Sequence, residues 1–142
     1  MADGSMRHVL LHGGSDEAFD RSAAFARQLA DSFGARLHVV YTVDQPLGAG
    51  GIISEMNPEQ LPELHQAMEA EARERLGRLI PASDQDRLGV EIAILFGPGP
   101  DELVRYTKSH SIDLAIVKPP SADPGTAEAL LQHANCSVLV LR

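Results

Sequence analysis

The chain has 142 residues, 44% of them hydrophobic, which is the size and composition of one folded globular domain. Twelve lysines and arginines against twenty aspartates and glutamates give a net charge of −8, and this argues against a protein that binds nucleic-acid phosphates. A single cysteine excludes an intramolecular disulfide and a multi-cysteine zinc site, and no apolar run is long enough to cross a membrane.

The first residues differ in character from the rest of the chain. Residues 1–6 are small and polar and lack the apolar core of a secretion signal. We therefore expect a disordered tail over residues 1–6, one domain over residues 7–142 and a location in the cytoplasm.

Short apolar runs alternate with helical patterns along the chain. The apolar runs, several of them rich in β-branched residues, predict five strands, at residues 8–11, 37–43, 90–96, 112–117 and 137–141. Helical spacing predicts four helices between them, at about residues 16–33, 58–79, 99–109 and 126–134. Residues 46–57 hold three glycines and no periodicity, which predicts a mobile loop.

The first helix carries clear start and stop signals. Ser15 or Asp16 is the expected N-cap, and Gly34 is the expected stop. Its apolar face is predicted to consist of Phe19, Ala23, Ala26, Ala30 and Phe33.

Strands that alternate with helices predict an α/β fold, with an open parallel sheet covered by helices on both faces. Ligands in such sheets bind beyond the carboxyl ends of the strands, where the winding reverses. The residues predicted to lie at those ends are His12, Gly13, Gly14, Ser15, Val43, Gly97 and Lys118.

Three stretches of the chain carry a resemblance to a known family. The first is residues 8–15, which include the turn Gly13-Gly14-Ser15. The second is residues 96–103 together with the predicted strand at 112–117. The third is the closing pattern at 127–140. Together they resemble the universal stress protein family, and the last stretch is the most specific. The resemblance implies a Rossmann-like, adenine-nucleotide alpha-hydrolase-like sheet of five strands in the order 3-2-1-4-5.

The resemblance also implies a homodimer that pairs the last strands of two copies. The sequence supports this independently, because an apolar strand at a sheet edge is usually paired or covered. The expected interface consists of Val138, Leu139, Val140 and Leu141.

Members of the family that bind ATP carry an Asp in the first turn and a Gly-x-x-Gly-x9-Gly-Ser/Thr loop after the fourth strand. Here Gly13 stands at the Asp position, and Lys118 with Pro119 and Pro120 stands where the loop begins. Prolines lack the N–H groups that such a loop presents to phosphates. The resemblance thus implies the non-ATP-binding branch: a regulatory stress-response protein with no cofactor and no catalytic residues.

Two alternatives remain open at this stage. In one, the protein is a sensor in which Lys118 and the N–H groups of Gly13-Gly14-Ser15 hold a nucleotide or small anion. The structural interpretation of the same residues is that Lys118 faces solvent and His12 fills the space of a lost nucleotide. In the other, the turn at 12–16 resembles the Ser-Gly-Gly-x-Asp-Ser loop of ATP pyrophosphatases, which implies an enzyme.

The remaining polar residues predict structural roles. The histidines lack metal-ligand spacing: His38 is expected near the surface end of a strand, His65 and His110 on solvated helix surfaces, and His133 in a structural position. Cys136 is expected to be a small buried apolar residue. The helix predicted at residues 58–79 is acidic, and its glutamates are expected to pair locally with its own arginines. Its alternative role is to dock an unknown protein partner. The residues concerned are Glu63, Glu69, Glu71, Glu74, Arg73, Arg75 and Arg78.

Overall fold

A computed structural model of the protein describes residues 5–14, 16–43 and 60–142. The tail prediction for residues 1–4, the loop prediction for 46–57 and the site residue Ser15 lie outside this part of the chain. Within it, Met6 packs against the core.

The described chain forms five strands and five helices, with two helices in succession before the third strand. The strands are β1 (His8–His12), β2 (Arg36–Val43), β3 (Glu91–Phe96), β4 (Leu114–Val117) and β5 (Ser137–Val140). The helices are α1 (Glu17–Phe33), α2 (Leu61–Leu79), α3 (Ala82–Leu88), α4 (Gly99–Ser109) and α5 (Thr126–His133).

The strands form one parallel sheet in the order β3-β2-β1-β4-β5, which confirms the predicted fold class and strand order. β1 lies at the centre of the sheet and pairs with β2 on one side and β4 on the other. β5 is an edge strand in this order.

Helices cover both faces of the sheet because successive strand residues point to opposite sides. On one face, β1 and β2 pack against α1 and α2 through side chains such as Val9, Val39, Phe19 and Leu76. On the other face they pack against α4 and α5, and the buried side chains there include Leu10, Val40, Leu103 and Leu130.

The capping signals of α1 are confirmed. Asp16 is the N-cap, and its Oδ1 accepts a hydrogen bond from the Phe19 amide at 2.9 Å. Gly34 is the C-cap at φ +64°, in the left-handed region, and its amide donates to the carbonyls of Ala30 and Asp31. Both caps therefore lie where the sequence predicts them.

One local prediction is wrong, and one helix was not predicted. Phe33 was expected on the apolar face of α1, but it is 54% exposed, since the helix ends at Gly34 and the described residues leave the side chain at its last turn uncovered. α3 was not predicted, because Leu88 is its one buried residue and a single apolar position gives no periodicity.

Asp113 joins the start of β1 to the start of β4. Its Oδ2 accepts hydrogen bonds from the amides of Arg7 and His8, at 2.8 and 2.9 Å. Its own amide donates to the His8 carbonyl at 2.9 Å. This contact spans more than a hundred residues of sequence and fixes the register of the two central strands.

None of the helices in the described part of the chain is both long and apolar enough to cross a membrane.

Candidate functional site

The carboxyl ends of β1 and β4 meet at the point where the winding of the sheet reverses. The structure brings four predicted residues together here, and we call them the β1/β4 corner: His12, Gly13, Gly14 and Lys118. Val43 and Gly97 end the neighbouring strands, where the Gly97 amide donates to the Val43 carbonyl at 3.1 Å. The predicted residues that the structure describes therefore divide into a β1/β4 group and a β2/β3 group.

Lys118 is half-buried and lies over the first turn. Its Nζ is 3.2 Å from the position that a Cβ on Gly14 would take. The ammonium group thus covers the backbone of the turn that leads into α1, which is the turn that the anion hypothesis invokes. One part of that hypothesis is corrected, because the Gly13 amide donates to the Val40 carbonyl at 2.7 Å and is not available to a ligand.

Asp123 is a member of this site that the sequence analysis missed. The chain turns at Pro119, whose carbonyl accepts hydrogen bonds from the amides of Ala122 and Asp123 at 2.9 and 3.0 Å. The turn brings Asp123 Oδ2 to 3.3 Å from Nδ1 of His12. The signal available in the sequence was an acid shortly before the start of α5, and it becomes informative only once the turn is known.

His12 is held between two elements. Its side chain is nine-tenths buried, and its Nε2 lies 3.0 Å from the Thr42 hydroxyl of β2. Its Nδ1 is shielded from solvent and has no well-aligned hydrogen bond among the described residues, so the close Asp123 carboxylate is its polar neighbour.

The surroundings of Asp123 favour its ionised form. Interaction with the His12 ring, a hydrogen bond from the Thr126 side chain and the charge of Lys118 all lower the pKa of Asp123, and they outweigh burial, which raises it. The hydrogen bond from the Phe19 amide lowers the pKa of Asp16, and the charge of Lys118 acts in the same direction. Lys118 therefore faces two carboxylates at the β1/β4 corner.

Tyr41 fills the space beside Gly13. A Cβ built on Gly13 would lie 2.5 to 2.6 Å from three atoms of the Tyr41 ring, which is far inside van der Waals contact. The ring also lies near Phe19, with 6.2 Å between the ring centroids. Burial raises the pKa of the Tyr41 hydroxyl. The close approach of the ring requires glycine at position 13.

A cleft of about 520 Å³ opens beside Tyr41, between the sheet edge and α2. Arg75 of α2 lines it and makes an ion pair with Asp20 of α1 at 2.9 Å. Local pairing within the acidic helix is confirmed for Arg73 and Glu69, which are 2.9 Å apart, but for Arg75 it is wrong, because its side chain faces α1.

The prediction for His38 is wrong. This histidine is 2% exposed, because β2 lies inside the sheet and Tyr106 of α4 covers it. Its Nδ1 lies 2.9 Å from the Tyr106 hydroxyl and its Nε2 lies 3.0 Å from Nδ1 of His8. Burial lowers the pKa of His38 to about 4.

The other predicted residues have structural surroundings. His110 is exposed and stacks on Tyr106 with 3.7 Å between the ring centroids, and His65 lies near Phe96. Cys136 is half-buried, and burial raises the pKa of its thiol. The described residues include no cluster of three side chains suited to hold a metal ion.

Comparisons with known proteins agree with this geometry. The sequence matches the universal stress protein family over residues 6–142. No curated protein sequence gives a significant match.

Several solved structures share the fold. A universal stress protein UspA from Lactobacillus plantarum is 22% identical, with a TM-score of 0.64 over 98% of this chain and 99% of that one. A universal stress protein family member from Burkholderia pseudomallei is 25% identical, with a TM-score of 0.61 over 94% of each chain. A universal stress protein solved in complex with cAMP is 16% identical, with a TM-score of 0.64 over 98% of each chain.

The family match covers nearly the whole chain, and the sheet order agrees with it. The chain belongs to the universal stress protein family.

Proposed function

We propose that this chain acts as a regulatory stress-response protein of its family, as a homodimer in the cytoplasm, without catalysis and without family-type ATP binding. The observation that carries the proposal is the Tyr41 ring packed against Gly13, the position where ATP-binding relatives have an aspartate.

The ring and the glycine together argue against the family's arrangement for binding ATP. An aspartate at position 13 would need its Cβ where the Tyr41 ring lies, at 2.5 Å. The residue type and the space for its side chain are therefore both missing.

The segment after β4 supports the same conclusion. Pro119 and Pro120 have no amide hydrogens, and the Pro119 carbonyl is used to close the turn to Ala122 and Asp123. A loop that binds phosphates does so with free amide groups and glycines that allow close approach. This turn presents rigid rings at the point where such a loop would begin.

A sensor that binds a nucleotide or small anion is the second candidate function. It is favoured by the Lys118 ammonium over Gly14 and by the structural neighbour solved with cAMP, although that neighbour is only 16% identical. The two functions differ in what they predict for wild-type protein mixed with nucleotide.

Thermal unfolding with millimolar Mg-ATP, AMP, cAMP or phosphate tests the proposal. A ligand at a hundred times its Kd stabilises the folded state by about 2.7 kcal/mol, so binding gives a clear rise in Tm. We expect no rise, and no nucleotide bound to the protein when it is purified from cells. Release of pyrophosphate from ATP would contradict the absence of catalysis.

The two lysines of the sequence, Lys108 and Lys118, give a matched pair of variants for the same experiment. Lys108 is exposed near the end of α4, away from the β1/β4 corner. A ligand-induced rise in Tm that Lys118→Ala removes and Lys108→Ala retains would replace the proposal with the sensor.

The homodimer is proposed from β5. Val140 is 37% exposed, and this strand lies at the sheet edge. Its outer backbone groups offer a row of donors and acceptors to a second copy of the same strand.

A further inference from the structure

We propose that Asp123 is an internal counter-anion, whose carboxylate occupies the β1/β4 corner and excludes phosphate-bearing ligands from it. The inference rests on the proposed function, since it identifies the residue that keeps the corner free of such ligands. It concerns a residue that lies outside the motifs by which the chain resembles its family.

The position of the Asp123 carboxylate is fixed by its backbone and by its neighbours. The two hydrogen bonds to the Pro119 carbonyl fold the segment back over the end of β1. The carboxylate then lies 3.3 Å from Nδ1 of His12, and the Thr126 side chain hydrogen-bonds to it. Thr126 is the first residue of α5 and is 1% exposed, so this partner is itself held in place.

The surroundings of His12 also favour an anion at this position. Its side chain is nine-tenths buried, and its Nδ1 is shielded from water without a well-aligned hydrogen bond to the described residues. A buried polar atom without a partner is costly. The negative charge of Asp123 reduces that cost, as the phosphate of a ligand would.

The charge balance of the corner explains the exclusion. Lys118 interacts with both Asp16 and Asp123, so one cation is shared by two carboxylates. The Asp123 carboxylate places a fixed negative charge in this corner, which weakens the attraction of its cations for an approaching phosphate group. Removing the charge of Asp123 leaves Lys118 opposed by Asp16 alone. The ammonium group of Lys118 is then less neutralised and attracts a phosphate group more strongly.

Isothermal titration of wild type and of Asp123→Asn with inorganic phosphate and with AMP tests the inference. The amide has the shape of the carboxylate without its charge. We expect no saturable binding of either probe to wild type and saturable binding of phosphate to Asp123→Asn, so that any wild-type Kd lies at least about tenfold above that of the variant. A similar affinity for both probes would assign the binding to the phosphate group, and tighter binding of AMP would add a contribution from the nucleoside.

Two further variants make the result specific. Asp86→Asn removes one exposed negative charge from α3, which precedes the amino end of β3 at the opposite edge of the sheet. It should leave binding unchanged. Lys118→Ala in the Asp123→Asn background should abolish the gained affinity.

The inference is overturned if folded Asp123→Asn binds phosphate no better than wild type, or if Asp86→Asn gains as much. Asp123→Ser, which keeps a short polar side chain, provides the same comparison if the amide variant is unstable. Binding of Mg-ATP to wild type would instead refute the proposed function, whereas a wild type that does not bind and an Asp123→Asn that gains nothing would refute this inference alone.

Discussion

At the scale of single residues, the contact between Gly13 and Tyr41 carries the proposal that the site does not accept ATP in the family's manner. The glycine is required by the ring that packs on it, and the ring fills space beside the end of β1. Neither residue alone predicts this contact from the sequence. Their effect comes from the pair, which lies on two neighbouring strands.

This pair predicts a strong energetic coupling. Gly13→Ala should lower the free energy of unfolding by about 1–3 kcal/mol, because its Cβ overlaps the Tyr41 ring. In a Tyr41→Ala background the same substitution should cost much less, and a double-mutant cycle from urea unfolding measures the difference. Equal costs in the two backgrounds would show that the ring and position 13 do not compete for space.

His38 predicts how stability depends on pH. Its pKa is about 4 in the folded protein and 6.5 for the unperturbed group, so between these values the unfolded chain binds a proton that the folded chain does not. Its contribution to stability is therefore complete above pH 6.5 and is lost as the pH falls towards 4. The slope from this one group is about 1.4 kcal/mol per pH unit.

Urea unfolding at several pH values measures this slope. His38→Gln should have a flatter dependence than wild type between pH 6.5 and 4, because the amide does not titrate. His133→Gln, which changes an exposed histidine, is the control and should follow wild type. Parallel curves for wild type and His38→Gln would contradict the assignment.

Residue-scale predictions from the sequence succeeded where the cause was local. The caps Asp16 and Gly34 act within one helix, and both are confirmed. Asp123 and His38 were missed or misplaced because their surroundings are built by distant segments: His12 lies over a hundred residues before Asp123, and Tyr106 lies 68 residues after His38.

At the scale of elements, two glycines show how position changes the meaning of one residue type. Gly34 ends α1 at φ +64°, and no described residue apart from its chain neighbours comes within 4 Å of the position that a Cβ would take there. Gly77 lies inside α2, and a Cβ there would meet only the far end of the Gln85 side chain, at 4.0 Å. The left-handed backbone conformation requires glycine at position 34, whereas the helical backbone at position 77 does not.

These glycines predict effects of opposite sign. Gly34→Ala should destabilise the protein by about 1–2 kcal/mol, since the left-handed conformation strains any side chain. Gly77→Ala should stabilise it by about 0.5–1 kcal/mol, because alanine loses less backbone entropy in a helix. Chemical denaturation of both variants checks the pair, and a loss of stability in Gly77→Ala would indicate packing at that position.

Periodicity predicted the elements that bury a long face and missed the one that does not. The five strands and four of the five helices follow from apolar spacing. The exception, α3, is seven residues long and buries only Leu88. Whether a side chain at the end of an element is buried, as for Phe33, depends on the path of the chain that follows, and apolar spacing alone does not predict that path.

At the scale of the whole molecule, the proposed assembly depends on the edge strand β5. Val140→Asp places a charge on the expected interface, and Val140→Pro removes a backbone donor. We expect wild type to have a mass near twice 15.3 kDa, and both variants to be monomeric or aggregated, as measured by size exclusion with light scattering.

Phe33→Ser is the matched control, because it removes an exposed apolar side chain on α1, far from the edge strand in sequence. It should leave the mass unchanged. A wild type that elutes as a clean monomer at micromolar concentration would remove the dimer from the proposal.

The fold of the whole chain was predictable to a greater extent than its site. Alternating strands and helices require a parallel sheet, and the family resemblance supplied the strand order that the alternation alone leaves open. The content of the β1/β4 corner was only half predictable: the strand ends follow from topology, but the turn that brings Asp123 onto His12 depends on tertiary contacts.

The hydrogen bonds of Asp113 to the amides of Arg7 and His8 have a consequence for synthesis on the ribosome. The central strand β1 is synthesised before the other described strands, but the partner for one of its edges is translated about a hundred codons later, some 5–20 seconds at ordinary elongation speed. A nascent chain therefore carries a half-paired hydrophobic strand for that interval, and the sheet closes on this side of β1 only after β4 has been translated.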